Sequence, residues 1–188
     1  MRYLVLPFML FILSGCQALT TFDKYATLRL YEVYKIDGVS ACDYKPKFNE
    51  CTDGKQVFNL KISDDKSKVA LVTHNKYAYF GFTRDDYQRQ TQPLRDFLLW
   101  VKQPKAKDQK TTMLRKRGNV AGTMFENEEV EYQFDYLHSR SDVQLLVIQP
   151  YTNGSSYAMT EAEVRNLLSA LDAWYNGTFT GQKLANVY

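Results

Sequence analysis

The chain reads as an α+β protein: one antiparallel sheet of about six or seven strands with two helices packed on one face. Three observations carry this reading. Aromatic residues are abundant, 14 Tyr and 11 Phe in 188 residues, which leans toward strands. Residues 129–136 read Glu-Val-Glu-Tyr-Gln-Phe-Asp-Tyr, an alternation that packs one side and wets the other, as in an antiparallel sheet. Two segments, each after a run of strands, place apolar residues at helical spacing.

Strands dominate the first half. Residues 25–36 are rich in Tyr, Leu and Val, and their alternation slips near Leu30-Tyr31, the sign of a bulge. A polar loop with a central proline, Pro46, follows. Residues 57–62 alternate with Phe58, Leu60 and Ile62 on one face, and Asp64-Asp65-Lys66 reads as a turn. Residues 68–73 form a continuous apolar run, consistent with a buried strand, and residues 77–82 a further strand. Asp85-Asp86 reads as turn and cap. Pro93 suits the first turn of a helix, with Leu94, Phe97, Leu98 and Val101 as its apolar stripe and Pro104 as its stop.

A basic connector, residues 102–117, joins the halves. It holds seven Lys or Arg against the single Asp108. Residues 120–125, 129–136 and 143–147 then read as strands, and residues 151–157 as a Gly/Ser/Asn-rich loop. Thr160 opens a second helix with a capping box completed by Glu163. Val164, Leu167, Leu168, Leu171 and Trp174 form its stripe, and Asn176-Gly177 its stop. The order of three strands and a helix thus occurs twice. It fits a diverged repeat, and equally the ordinary order of α+β proteins.

The first sixteen residues bear on location. Arg2 supplies a charged start, residues 3–13 an apolar stretch too short to remain across a bilayer, and Leu13-Ser14-Gly15-Cys16 closes it. This resembles a bacterial lipobox, which covers only residues 1–16. The resemblance implies cleavage before Cys16, acylation of Cys16 and stable anchoring in a lipid bilayer. Gln17 in place of Asp implies the outer membrane, facing the periplasm or the cell surface. The organisation expected is then a signal peptide over 1–15, a tether over 16–24 and one domain over 25–188. Removing 15 of 188 residues leaves 173, enough for a single core, with no second apolar run long enough to span a membrane.

With Cys16 acylated, Cys42 and Cys51 remain as an even pair in an oxidising compartment, and a disulfide between them is expected. It contributes roughly 2.5 to 3 kcal/mol in the chain-entropy model. Metal spacings and phosphate-binding glycine loops are absent from the sequence, so no metal and no cofactor is expected. There is no Gly-x-Ser-x-Gly. His74 and His138 fall in turns and read as solvated. Glu126, Glu128, Glu129, Glu131 and Asp135 read as a wet sheet face rather than as an acid–base pair, with Glu129 and Glu131 a possible acidic surface for a basic partner. Lys105, Lys107, Lys110, Arg115, Lys116 and Arg117 read as a solvated loop or as a contact for an anionic partner.

Net charge is +3, about +2 once Arg2 is removed, which is no nucleic-acid signature. The expectation is therefore a non-enzymatic protein-binding module of the cell envelope, an immunity or exclusion protein or a complex subunit. The rivals are an envelope hydrolase acting on peptidoglycan or lipid and a lipid carrier.

Overall fold

The structure is a computed structural model and describes residues 31–73, 78–103, 114–120, 128–137, 140–150 and 156–184. Its elements run β1 (Tyr31–Lys45), β2 (Glu50–Ser63), β3 (Lys68–Thr73), β4 (Ala78–Thr83) and α1 (Tyr87–Val101). They continue with β5 (Leu114–Val120), β6 (Glu128–Leu137), β7 (Arg140–Pro150), β8 (Ser156–Thr160) and α2 (Glu161–Tyr175). The strands form one eight-stranded sheet in the order β4-β3-β2-β1-β8-β7-β6-β5, with antiparallel pairing throughout. The unit that recurs is four strands and a helix rather than three. The edge strands β4 and β5 come into contact, and α1 touches both, so neither edge stands apart as a flat template for pairing.

Alternation builds the main core. Phe58, Leu60 and Ile62 of β2, Val130, Tyr132 and Phe134 of β6, and Leu146 and Ile148 of β7 point to the helices and are buried. The α2 stripe Val164, Leu167, Leu168, Leu171 and Trp174 meets them. Phe97 of α1 packs edge-to-face on Phe134 at 5.4 Å, and Trp100 lies 5.2 Å from Tyr136. In β1 a register shift lies between Lys35 and Ser40, and Gly38 sits there at φ 68°. The left-handed backbone at Gly38 favours glycine, and a Cβ there would fall 2.3 Å from Asn166 Nδ2, so the exposed Asn166 side chain would have to shift.

The helix ends show how the two layers are tied. Gly177 adopts φ 75°, Thr178 N donates to Ala173 O at 2.8 Å and Gly177 N to Trp174 O at 3.1 Å, the paired bonds of a Schellman stop. The last carbonyls of α2 have a further partner. Arg84, in the turn before α1, donates from its two terminal nitrogens to Tyr175 O at 2.7 Å and Trp174 O at 2.8 Å, and from Nε to Lys66 O at 2.7 Å. Its guanidinium lies 5.0 Å from the centre of the Trp174 ring.

Several boundaries differ from expectation. Pro93 lies inside α1 rather than in its first turn. The helix begins six residues earlier, because the buried stripe runs back through Gln90, Thr91 and Tyr87, where polar side chains disguise it. Gln90 is buried because its Oε1 accepts the Thr83 backbone N–H at 2.8 Å. The loop expected around Pro46 is the tip of a long hairpin, since β1 runs to Lys45 and β2 starts at Glu50. The end of the basic connector is not loop: Leu114–Val120 is strand β5. Of the strand expected over 120–125, Val120 is the last described residue of β5, and 121–127 lie outside the described residues. The loop expected over 151–157 gives way to β8 at Ser156.

Candidate functional site

The β1–β2 hairpin carries the most exposed large apolar side chain among the described residues, Phe48, at 62%. Local chemistry fixes its position. Phe48 N donates to Lys45 O at 3.0 Å to close the turn, and Asn49 takes φ 52°, a left-handed conformation that asparagine tolerates. Lys47 Nζ sits 5.7 Å from the Phe48 ring centre, and Lys45 Nζ is 3.0 Å from the Asp43 carboxylate. At the base, the structure brings the Cys42 and Cys51 sulfurs to bonding distance, with Cα atoms 5.5 Å apart. That separation lies inside the range a disulfide requires.

A second restraint reaches the tip from across the sheet. Asp135 of β6, 1% exposed, lies on the face opposite the helices. Its Oδ2 accepts from Tyr44 Oη at 3.2 Å, Asn49 Nδ2 at 3.0 Å and Gln133 Nε2 at 3.0 Å, and its Oδ1 accepts the Tyr136 N–H at 2.7 Å. Burial, then the neighbouring Asp135 carboxylate, pushes the Tyr44 phenol well above the usual tyrosine range, so it stays a donor. Cys42, Tyr44, Leu145, Val147 and Ala158 form a small apolar cluster on that same face. The result is a hairpin held at its base by two cysteines and near its tip by a buried carboxylate, with Phe48 left facing solvent.

This overturns one expectation. Glu129, Glu131, Gln133 and Asp135 do not form a uniformly wet face, because Gln133 and Asp135 are buried. Alternation assigned them to the right face, but that face is partly covered. Asp135, closed to solvent and satisfied by four donors, is not placed as a catalytic acid or base. Of the remaining candidates, Cys16, His74, His138, Lys105, Lys107 and Lys110 lie outside the described residues. Arg115, Lys116 and Arg117 stand in β5, opposite Gln133, Tyr132 and Glu131 in the ladder, and Asn119 stands opposite Glu129. Arg117 and Glu131, expected to be separate basic and acidic contacts, are therefore ladder partners in one sheet. Among the described residues, no group of three or more His, Cys, Asp or Glu is placed to hold a metal, and no helix is long and apolar enough to cross a membrane.

Phe48, Asn49 and Asp135 were missed by sequence reasoning as a site. The signal was a Phe following Lys-Pro-Lys within the expected polar loop, where an apolar side chain has nothing local to pack on.

One further polar cluster joins this half of β1 to α2. Glu163, 6% exposed, accepts from Lys55 Nζ at 2.7 Å, Ser40 Oγ at 2.5 Å, and Thr160 N and Oγ1 at 2.7 and 2.8 Å. Burial alone would raise its pKa, but the bonds from Lys55, Ser40 and Thr160 outweigh that and hold it below the ordinary glutamate value of 4.5. A carboxylate with a lowered folded pKa contributes stability that is complete above its unfolded pKa and is lost as pH falls through the folded one. Urea midpoints between pH 7 and pH 3 should therefore fall more steeply on the acid side for wild type than for Glu163→Gln; equal acid-side slopes would remove this role.

No protein-family model matches the chain, and neither a curated protein nor a solved structure matches it.

Proposed function

We propose that the chain is a bacterial outer-membrane lipoprotein, anchored through acylated Cys16, whose α+β domain is a non-enzymatic module that binds another protein of the cell envelope. The observation that carries the binding role is the hairpin tip. An aromatic side chain left in water on a flexible loop would be ordinary; Phe48 sits on a turn restrained by Cys42–Cys51 and by Asn49 on Asp135. Pre-ordering lowers the entropic cost of docking, and an exposed aromatic on a rigid support has the character of an interface anchor. The lipobox supplies the second support, since a tether raises the local concentration of a modest binder. Immunity or exclusion proteins and subunits of envelope complexes both fit.

The test is cross-linking in host membranes followed by purification of the acylated protein. Phe48→Asp should reduce the cross-linked partner at least fivefold while leaving the melting temperature within a few degrees of wild type, because the side chain packs on little. Undiminished cross-linking would remove the hairpin from the interface.

A further inference from the structure

Cys42 and Cys51 stand where the β1–β2 hairpin leaves the rest of the sheet. β3 pairs with β2 only from Phe58 onward, so among the described residues 50–57 have β1 as their one strand neighbour. β1 is better held at this level, because Cys42, Asp43 and Tyr44 pair with Ala158, Tyr157 and Ser156 of β8. A bond between the cysteines therefore ties a strand with one neighbour to a strand with two. The ladder it spans is thin. After Cys42↔Lys55 the register shifts, Gly54 takes φ 99°, and the pairs Tyr44↔Cys51 and Lys45↔Glu50 complete the hairpin. Thr52 Oγ1 donates to Asp43 O at 3.0 Å across the shift, an exposed bond of modest worth.

What lies beyond the cysteines is the tip. None of residues 43–57 belongs to the main core that holds Phe58, Leu60, Phe134 and Leu171. The loop the bond closes carries Lys45, Pro46, Lys47 and Phe48, all exposed. Tyr44 and Asn49 reach Asp135, but Tyr44 belongs to the strand that β8 already holds. Opening the bond thus frees the Phe48 end of the hairpin and leaves the helices and their sheet face packed.

We propose that the hairpin is an oxidation-dependent docking site, which presents Phe48 on a fixed turn only in the chain whose Cys42 and Cys51 are joined. This rests on the reading of Phe48 as an interface anchor and names its regulation. Cys42 is 5% exposed and Cys51 is the more open of the two, so exchange enters at Cys51. The Cys51 thiolate attacks one sulfur of a small disulfide oxidant and expels its other sulfur as a thiol. The Cys42 thiolate then attacks Cys51 Sγ and releases the second thiol. Two protein thiols become one disulfide, the oxidant's disulfide becomes two thiols, and two protons pass to them. A dithiol reductant runs the same steps in reverse. Closing the loop removes its open conformations before a partner arrives, so docking does not have to. Reducing compartments keep such a pair as thiols and oxidising ones keep it joined, which confines binding to the oxidised chain.

The experiment uses the full acylated chain in detergent, oxidised with glutathione disulfide or held reduced with dithiothreitol. Amide exchange of residues 45–49 should be about tenfold faster in the reduced chain, with residues 130–134 and 164–171 equally protected in both states. Cys42→Ser with Cys51→Ser should match the reduced wild type in either buffer, and should cross-link about fivefold less partner in host membranes. Equal exchange at 45–49 in the two states overturns the proposal. Loss of protection at 130–134 or 164–171 on reduction also overturns it, by making the bond a support of the whole domain. Undiminished cross-linking by the double variant overturns it as well. Exchange is read with no partner present, so failure of the hairpin reading, seen as undiminished cross-linking by Phe48→Asp, is told apart from failure here.

Discussion

Replacing Asp135 with alanine should lower the unfolding free energy by about 4 kcal/mol, read as a shift in the denaturant midpoint at constant slope. The physical reason is what the deletion leaves behind. Tyr44 Oη, Asn49 Nδ2 and Gln133 Nε2 all donate to this one carboxylate. A buried donor that loses its acceptor costs about 1–3 kcal/mol, more than the net worth of the bond itself. Gln133 and Tyr44 are buried, so water cannot readily replace the acceptor. Asn49 is less enclosed, and its release should also loosen the hairpin tip, visible as faster amide exchange of residues 45–49. A loss below about 1 kcal/mol would show that the cluster does not hold the hairpin to β6.

Arg84→Ala should cost about 3 kcal/mol, measured the same way. Arg84 satisfies two terminal carbonyls of α2, where the helix dipole places negative potential, and a third carbonyl in the β2–β3 turn. Hydrogen bonds to a charged group contribute about 1.5–3 kcal/mol, and the guanidinium also covers the Trp174 ring. Arg84→Lys should recover only part of the loss, since an ammonium cannot present the planar fork that spans three acceptors. Wild-type stability in Arg84→Ala would mean that the Schellman turn at Gly177 suffices to end α2.

How much of this was legible in the sequence depends on what each signal reports. Alternation at Val130, Tyr132 and Phe134, and helical spacing from Val164 to Trp174, report a face, and those faces are buried against one another. The capping box also formed: the Thr160 side chain accepts the Glu163 backbone N–H, and the Glu163 carboxylate accepts the Thr160 backbone N–H. Strand β8 gave little signal: five residues, with Ser156, Tyr157, Ala158 and Met159 all buried, show no alternation. Strand β5 was hidden for the opposite reason, since Arg115, Lys116 and Arg117 have the composition of a solvated loop. Asp135 could not be recognised from its own neighbourhood. Period two places it opposite Phe134, but only the reach of Tyr44 and Asn49 over that face makes it buried. The packing of the C-terminal tail was unreadable too, because Phe179 and Lys183 acquire meaning only beside Tyr34 and Glu32, which lie far away in sequence.

The proposed lipid anchor is read most directly in the mass of the amino-terminal peptide of the protein purified from host membranes. The expected result is a mature chain that begins at Cys16, with diacylglycerol on its sulfur and a fatty acyl chain on its amino group. A chain still beginning at Met1, or a Cys16 carrying an unmodified thiol, would contradict it.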